Sequence, residues 1–125
     1  LLSISSRWGG FNSPSFRSES LWTATDIPKG SWVSWIIRVK FSTDDDGILQ
    51  VWKDGRLIID RVGYANYYYT TDRPRRSDGT YFKVSIYKGK WLTHPSTVTD
   101  HTMYYDEIRF ATGINGYSLV DPAGY

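Results

Sequence analysis

Hydrophobic and polar residues alternate with a period of two through much of this chain, the spacing that puts successive side chains on opposite faces of a strand. Residues 80–88, TYFKVSIYK, split into Phe82, Val84 and Ile86 on one side and Tyr81, Lys83, Ser85 and Tyr87 on the other. In SWVSWIIRVKF (31–41), Trp35, Ile37, Val39 and Phe41 share one face, and Ser34, Ile36, Arg38 and Lys40 share the other. ILQVWKDGRLIIDRV (48–62) reads as a hairpin about Asp54-Gly55, a dipeptide suited to the left-handed positions of a tight turn. Leu2 to Trp8 is strand-like and stops at Gly9-Gly10, Asn12 to Ser20 is a polar loop or short edge strand, and HTMYYDEIRF (101–110) is a closing strand. Two long loops, 64–79 and 88–100, interrupt the pattern. Strands are expected near 33–41, 48–53, 56–62, 81–87 and 102–110, with no convincing helix. Short strands joined by turns define an all-β antiparallel β-sandwich of jelly-roll type. Trp35, Val39, Phe82, Val84 and Ile86 are its expected core, with Lys83 and Tyr87 opening onto a groove.

Composition refines this picture. With 125 residues, the chain suits one domain with a modest core. Aromatics are 17% and ten of them are Tyr, rings that bury area while keeping a hydroxyl available; this suits carbohydrate or protein contact, and equally an all-β core. A net charge of +2 gives no support to nucleic-acid binding. No apolar run approaches membrane-spanning length. The absence of cysteine excludes a disulfide scaffold and a Cys-ligated metal.

The ordered blocks IPKGSWVSWIIRVKFSTDDDGILQVWKDGRLIIDRVG, YFKVSIYKG and TMYYDEIRF resemble the C-terminal part of heparin-lyase-I-like polysaccharide lyases, a group that includes glucuronan lyases. The likeness covers about residues 27–110, with Ser85 where the family usually has Gly. It implies β-elimination on a uronic-acid polysaccharide outside the cytoplasm, in an extracellular or periplasmic setting. It also implies that Tyr87 is the catalytic Tyr and Lys83 a substrate contact, with Tyr81 on the groove wall. The upstream Arg strand and Gln-x-His strand of such lyases have no counterpart here, and neither His94 nor His101 matches that position. Residues 1–125 are thus expected to be the C-terminal portion of a longer jelly roll, partnered by an anionic polysaccharide and by a second polypeptide or by self-association.

Arg38 and Lys40 either line the groove or are ordinary exposed strand charges. Arg73, Arg75 and Arg76 either grip a polyanion through guanidinium–carboxylate forks or sit in a solvated loop. Tyr67-Tyr68-Tyr69 either stacks on sugars or covers the end of the sandwich. No cofactor is expected. Asp44-Asp45-Asp46-Gly47 reads as a polar turn, with a structural calcium as the alternative, although its spacing is not that of an EF-hand loop. Three functions follow: a polysaccharide lyase or a piece of one, a non-catalytic carbohydrate-binding sandwich, and a structural protein assembling by strand addition.

Overall fold

The computed structural model describes residues 2–26, 28–70, 82–85, 93–94, 97–98, 100 and 102–121. Two three-stranded sheets form the body. In the first, β1 (Leu2–Gly10) lies between β2 (Arg17–Ala24) and β6 (Tyr68–Tyr69). In the second, β3 (Trp35–Lys40), β4 (Gly47–Lys53) and β5 (Arg56–Tyr64) form an antiparallel meander. The result is the expected all-β sandwich. One junction departs from the antiparallel rule, since β1 and β6 pair in parallel through Gly9–Tyr68 and Gly10–Tyr69.

The inner faces meet through Trp22 of β2 and Trp35 of β3, whose ring centroids lie 5.9 Å apart. Trp8 meets Tyr64 at 6.5 Å, and Arg61 reaches Glu19 at 3.0 Å across the margin. Val51, at the centre of the middle strand, is fully buried between its register partners Ile37 and Ile59. The β4–β5 turn takes the expected form: Asp54 and Gly55 have φ of 49° and 76°, and Lys53 pairs with Arg56. A bulge follows. Trp52 opposes Leu57 but Val51 opposes Ile59, which leaves Ile58 as the extra residue. That slip turns Ile59 inward beside Val51 and turns Asp60 outward beside Gln50.

Several expectations need correction. Residues 82–85 and 102–110 are in no strand. Phe82 is 59% exposed and Val84 37% exposed, so neither is core. Alternation makes a segment amphipathic but does not supply a ladder partner, and among the described residues neither segment has one. Val39 is 41% exposed and Ile37 53%, because the first sheet reaches the Trp35 end of β3 and leaves the rest of that face uncovered. Ile36, on the opposite face, is buried instead. Its register partner there is Trp52, and a short helix, α1 (Gly116–Val120), which the sequence reading did not anticipate, brings Tyr117 to 4.8 Å from Trp52. Trp35 itself is only half-buried. Residues 17–24 form a full strand rather than a loop or short edge strand. Ile86 lies outside the described residues.

The chain passes from the second sheet to the first at Asn66, a buried polar residue. Its Oδ1 accepts from the Ser42 N–H at 2.8 Å, and its Nδ2 donates to the carbonyls of Lys40 at 2.9 Å and Ile48 at 3.0 Å. The backbone N–H groups of Asn66 and Tyr67 both donate to the Ser42 carbonyl at 3.0 Å. Gly47 leaves the room this needs: a Cβ there would fall 2.9 Å from Asn66 Cγ and collide with the Tyr64 carbonyl. Beyond Asn66, Tyr67 and Tyr68 join Phe41, Phe11 and Phe16 in an aromatic cluster that closes this end of the sandwich.

Replacing Asn66 with Ala strands three partly buried backbone groups. Urea unfolding should show a loss of about 2–4 kcal/mol, since each unsatisfied group costs roughly 1–3 kcal/mol and partial access by water reduces the sum. Gly47→Ala should also destabilise, by about 1–3 kcal/mol from overpacking. A loss below about 0.5 kcal/mol for Asn66→Ala would show that water or other groups replace the bonds without cost.

Candidate functional site

The outer face of β3–β4–β5, turned away from the first sheet, carries the polar chemistry. Pairing aligns three rows across it. Ile36, Trp52 and Leu57 form the first; Arg38, Gln50 and Asp60 the second; Lys40, Ile48 and Val62 the third. Neighbouring strands lie about 4.8 Å apart, so each row is within side-chain reach.

The middle row is joined by hydrogen bonds. Arg38 donates to Gln50 Oε1 at 2.9 Å, and Gln50 Nε2 donates to Asp60 Oδ1 at 2.7 Å. A guanidinium only donates and a carboxylate only accepts, so the two neighbours fix which way the Gln50 amide points. The amide separates the two charges. Arg38 holds a place beside an acid without being neutralised by direct contact.

In the row below, Lys40 Nζ meets Asp46 Oδ2 at 2.5 Å, and the Ser42 hydroxyl donates to the other oxygen of the same carboxylate. The Lys40 hydrogen bond, followed by that from Ser42, holds the Asp46 carboxyl below its ordinary value of 3.8. Ser42 Oγ also accepts from the Asp44 N–H at 3.0 Å. The 44–47 segment is thus a polar turn tied to β3. No group of three or more potential metal ligands occurs among the described residues. At the opposite turn, Lys53 lies 2.8 Å from Asp54, whose other oxygen accepts from the Ser34 N–H at 2.9 Å. These two bonds, Lys53 first, hold Asp54 below 3.8. Beside that turn, Trp22, Asp26, Lys53, Arg56 and Leu57 line an open cleft.

The expected site residues are thus only partly brought together. Arg38 and Lys40 are exposed in adjacent rows of one sheet face. Lys83 is exposed in the 82–85 segment, whose Phe82 ring lies 5.4 Å from that of Phe110 in the 102–110 segment. Tyr81, Tyr87, Arg73, Arg75 and Arg76 lie outside the described residues. Gln50, Asp60, Trp52 and Tyr117 were not singled out from the sequence. Gln50 and Trp52 carried one signal, their two-residue spacing on the strand that also holds Val51, but Asp60 joins them only through the bulge.

Fold and surface together define a β-sandwich with an open sheet face bearing cations, an amide and aromatic rings. The polysaccharide lyase family model matches residues 1–109, and the chain belongs to that family. Searches among curated proteins and among solved structures found no match.

The folded Asp46 carboxyl lies below its unfolded value, so its pairing adds stability above the unfolded value, and this is lost as pH falls through the folded one. Asp46 should therefore titrate below an ordinary aspartate in a carboxyl-resolved NMR titration. Lys40→Met should move it back up toward 3.8, and molar salt should do so in part, because the pair is exposed. An unchanged Asp46 titration in Lys40→Met would show that the Ser42 hydroxyl, rather than the ion pair, sets it.

Proposed function

We propose that this chain works in a heparin-lyase-I-like or glucuronan-lyase-like enzyme that cleaves a uronic-acid polysaccharide by β-elimination. The family match over residues 1–109 carries this reading. The YFKVSIY and YYDEIRF blocks support the finer assignment by resemblance. In the reaction, a cation or hydrogen-bond donor offsets the charge of the uronate carboxylate, which makes the C5 proton removable. A base takes that proton, the electron pair forms the C4–C5 double bond, and the C4–O bond breaks. The departing oxygen receives a proton from an acid. Tyr87 is assigned the acid–base role and Lys83 a substrate contact, with Tyr81, Arg38, Lys40, Arg73, Arg75 and Arg76 as further binding residues. The upstream Arg and histidine strands of such lyases come from the same or a second polypeptide, and the enzyme works outside the cytoplasm.

A second reading is a non-catalytic or self-assembling sandwich. The exposed Ile37 and Val39 of β3, a strand at the edge of its sheet, favour it.

With the upstream strands supplied, uronate polymers should yield unsaturated products that absorb in the near ultraviolet. Tyr87→Phe should cut turnover by about 10²- to 10⁴-fold with little change in binding, because it removes one hydroxyl from the acid–base machinery. Lys83→Ala should weaken binding instead, most at low salt. Parental turnover in Tyr87→Phe would remove that residue from the chemistry and leave a binding face.

A further inference from the structure

We propose that Arg38, Gln50 and Trp52 form a subsite for one uronate residue, in which Arg38 takes the sugar carboxylate and Trp52 lies against the pyranose ring. The proposal rests on the lyase reading for its class of ligand, and on geometry for its place. Of the two β3 cations on this face, Lys40 is already paired with Asp46 at 2.5 Å. Arg38 has no ion pair among the described residues, and its described hydrogen bond goes to an amide, Gln50 Oε1. A guanidinium has five N–H donors, so a fork remains for a carboxylate. Gln50 is a positioning residue. Anchored to Asp60 at 2.7 Å, it holds the guanidinium in the plane of the row without supplying a competing negative charge at contact distance.

Trp52 stands two residues from Gln50 on the same strand, and so in the adjacent row of the same face. Tyr117 of α1 packs against it at 61°, which fixes the indole, and Trp52 stays half-buried, so the ring area that Tyr117 leaves accessible is what a sugar would meet. A hexuronate has the matching shape, an apolar C–H face and a carboxylate at one corner. Aromatic rings supply flat area at low entropic cost, and the charged fork supplies orientation. A neutral sugar meets the ring but not the fork, so the pair discriminates as well as binds.

The test is calorimetric titration of the chain with a glucuronic-acid tetrasaccharide and with cellotetraose, which differ at the sugar carboxylates. The parent should prefer the uronate by about tenfold or more. Arg38→Leu should abolish that preference while leaving the weak cellotetraose affinity in place, and Arg38→Lys, which keeps the charge but loses the fork, should fall between. Gln50→Leu should lower uronate affinity selectively, where a merely structural role would lower both alike. Trp52→Leu, which keeps apolar bulk under Tyr117, should weaken both ligands. A parent that binds no uronate, or an Arg38→Leu variant that keeps the preference, overturns the proposal. Failure of the lyase reading appears separately, as absence of unsaturated product from uronate polymers with the completed protein, and leaves the tetrasaccharide preference measurable.

Discussion

One side chain amide holds the crossing between the two sheets. Asn66 bonds the backbone of Ser42, Lys40 and Ile48, three groups at the end of the β3–β4 connection, and does so from the segment that next pairs with β1. In a partly buried site such groups are costly if left unmet, so the amide fixes where the chain turns from one layer to the other. The bare Cα of Gly47 and the aromatic cluster of Tyr67, Tyr68, Phe41, Phe11 and Phe16 both follow from that crossing. So does the Lys40–Asp46 pair, since the same turn presents Asp46 to β3.

Of the two bulges in the β4–β5 ladder, the one at Ile58 decides which residues the middle of the second sheet displays. A two-residue turn at Asp54-Gly55 with a regular ladder would set Gln50 opposite Ile59 and Asp60 opposite Leu49, on the face that packs against the first sheet. Asp60 would then leave the Gln50 row and take the position that Arg61 holds beside Glu19. The extra residue Ile58 exchanges these positions: Ile59 joins Val51 in the core and Asp60 meets Gln50 outside. Core and surface chemistry thus depend on the same irregularity, in keeping with the tendency of bulges to re-aim side chains near functional sites.

The sequence made the meander legible. Alternation located β3, the Asp54-Gly55 pair located the hairpin, and both survive in the structure. The faces of β3 were separated correctly, yet burial went partly to the other side, because Ile36 is covered by Trp52 and α1 while Ile37 and Val39 are not. Period-two patterns report which residues share a face and carry no information about what lies over it. The same limit explains residues 82–85 and 102–110, whose alternation is as clear as that of β3 but which join neither sheet. At the candidate site, Arg38 and Lys40 were legible as cations on one face. That one is paired and the other held by an amide depends on a turn and a bulge, both set by long-range register. A lone Asn among tyrosines gave no sign that residue 66 joins the layers.

In a chain of the polysaccharide lyase family, the subsite proposed above puts carbohydrate on the outer surface of β3–β4–β5, where Arg38, Gln50 and Trp52 share one sheet face. The most direct measurement is a ¹H–¹⁵N correlation map of the chain titrated with a uronic-acid tetrasaccharide. The largest shifts should fall on the Trp52 indole N–H, the Gln50 side-chain amide and the Arg38 guanidinium, with the Trp22 indole unmoved. Shifts confined to Trp22, Lys53 and Arg56 around the open cleft, with the Arg38 row silent, would contradict it.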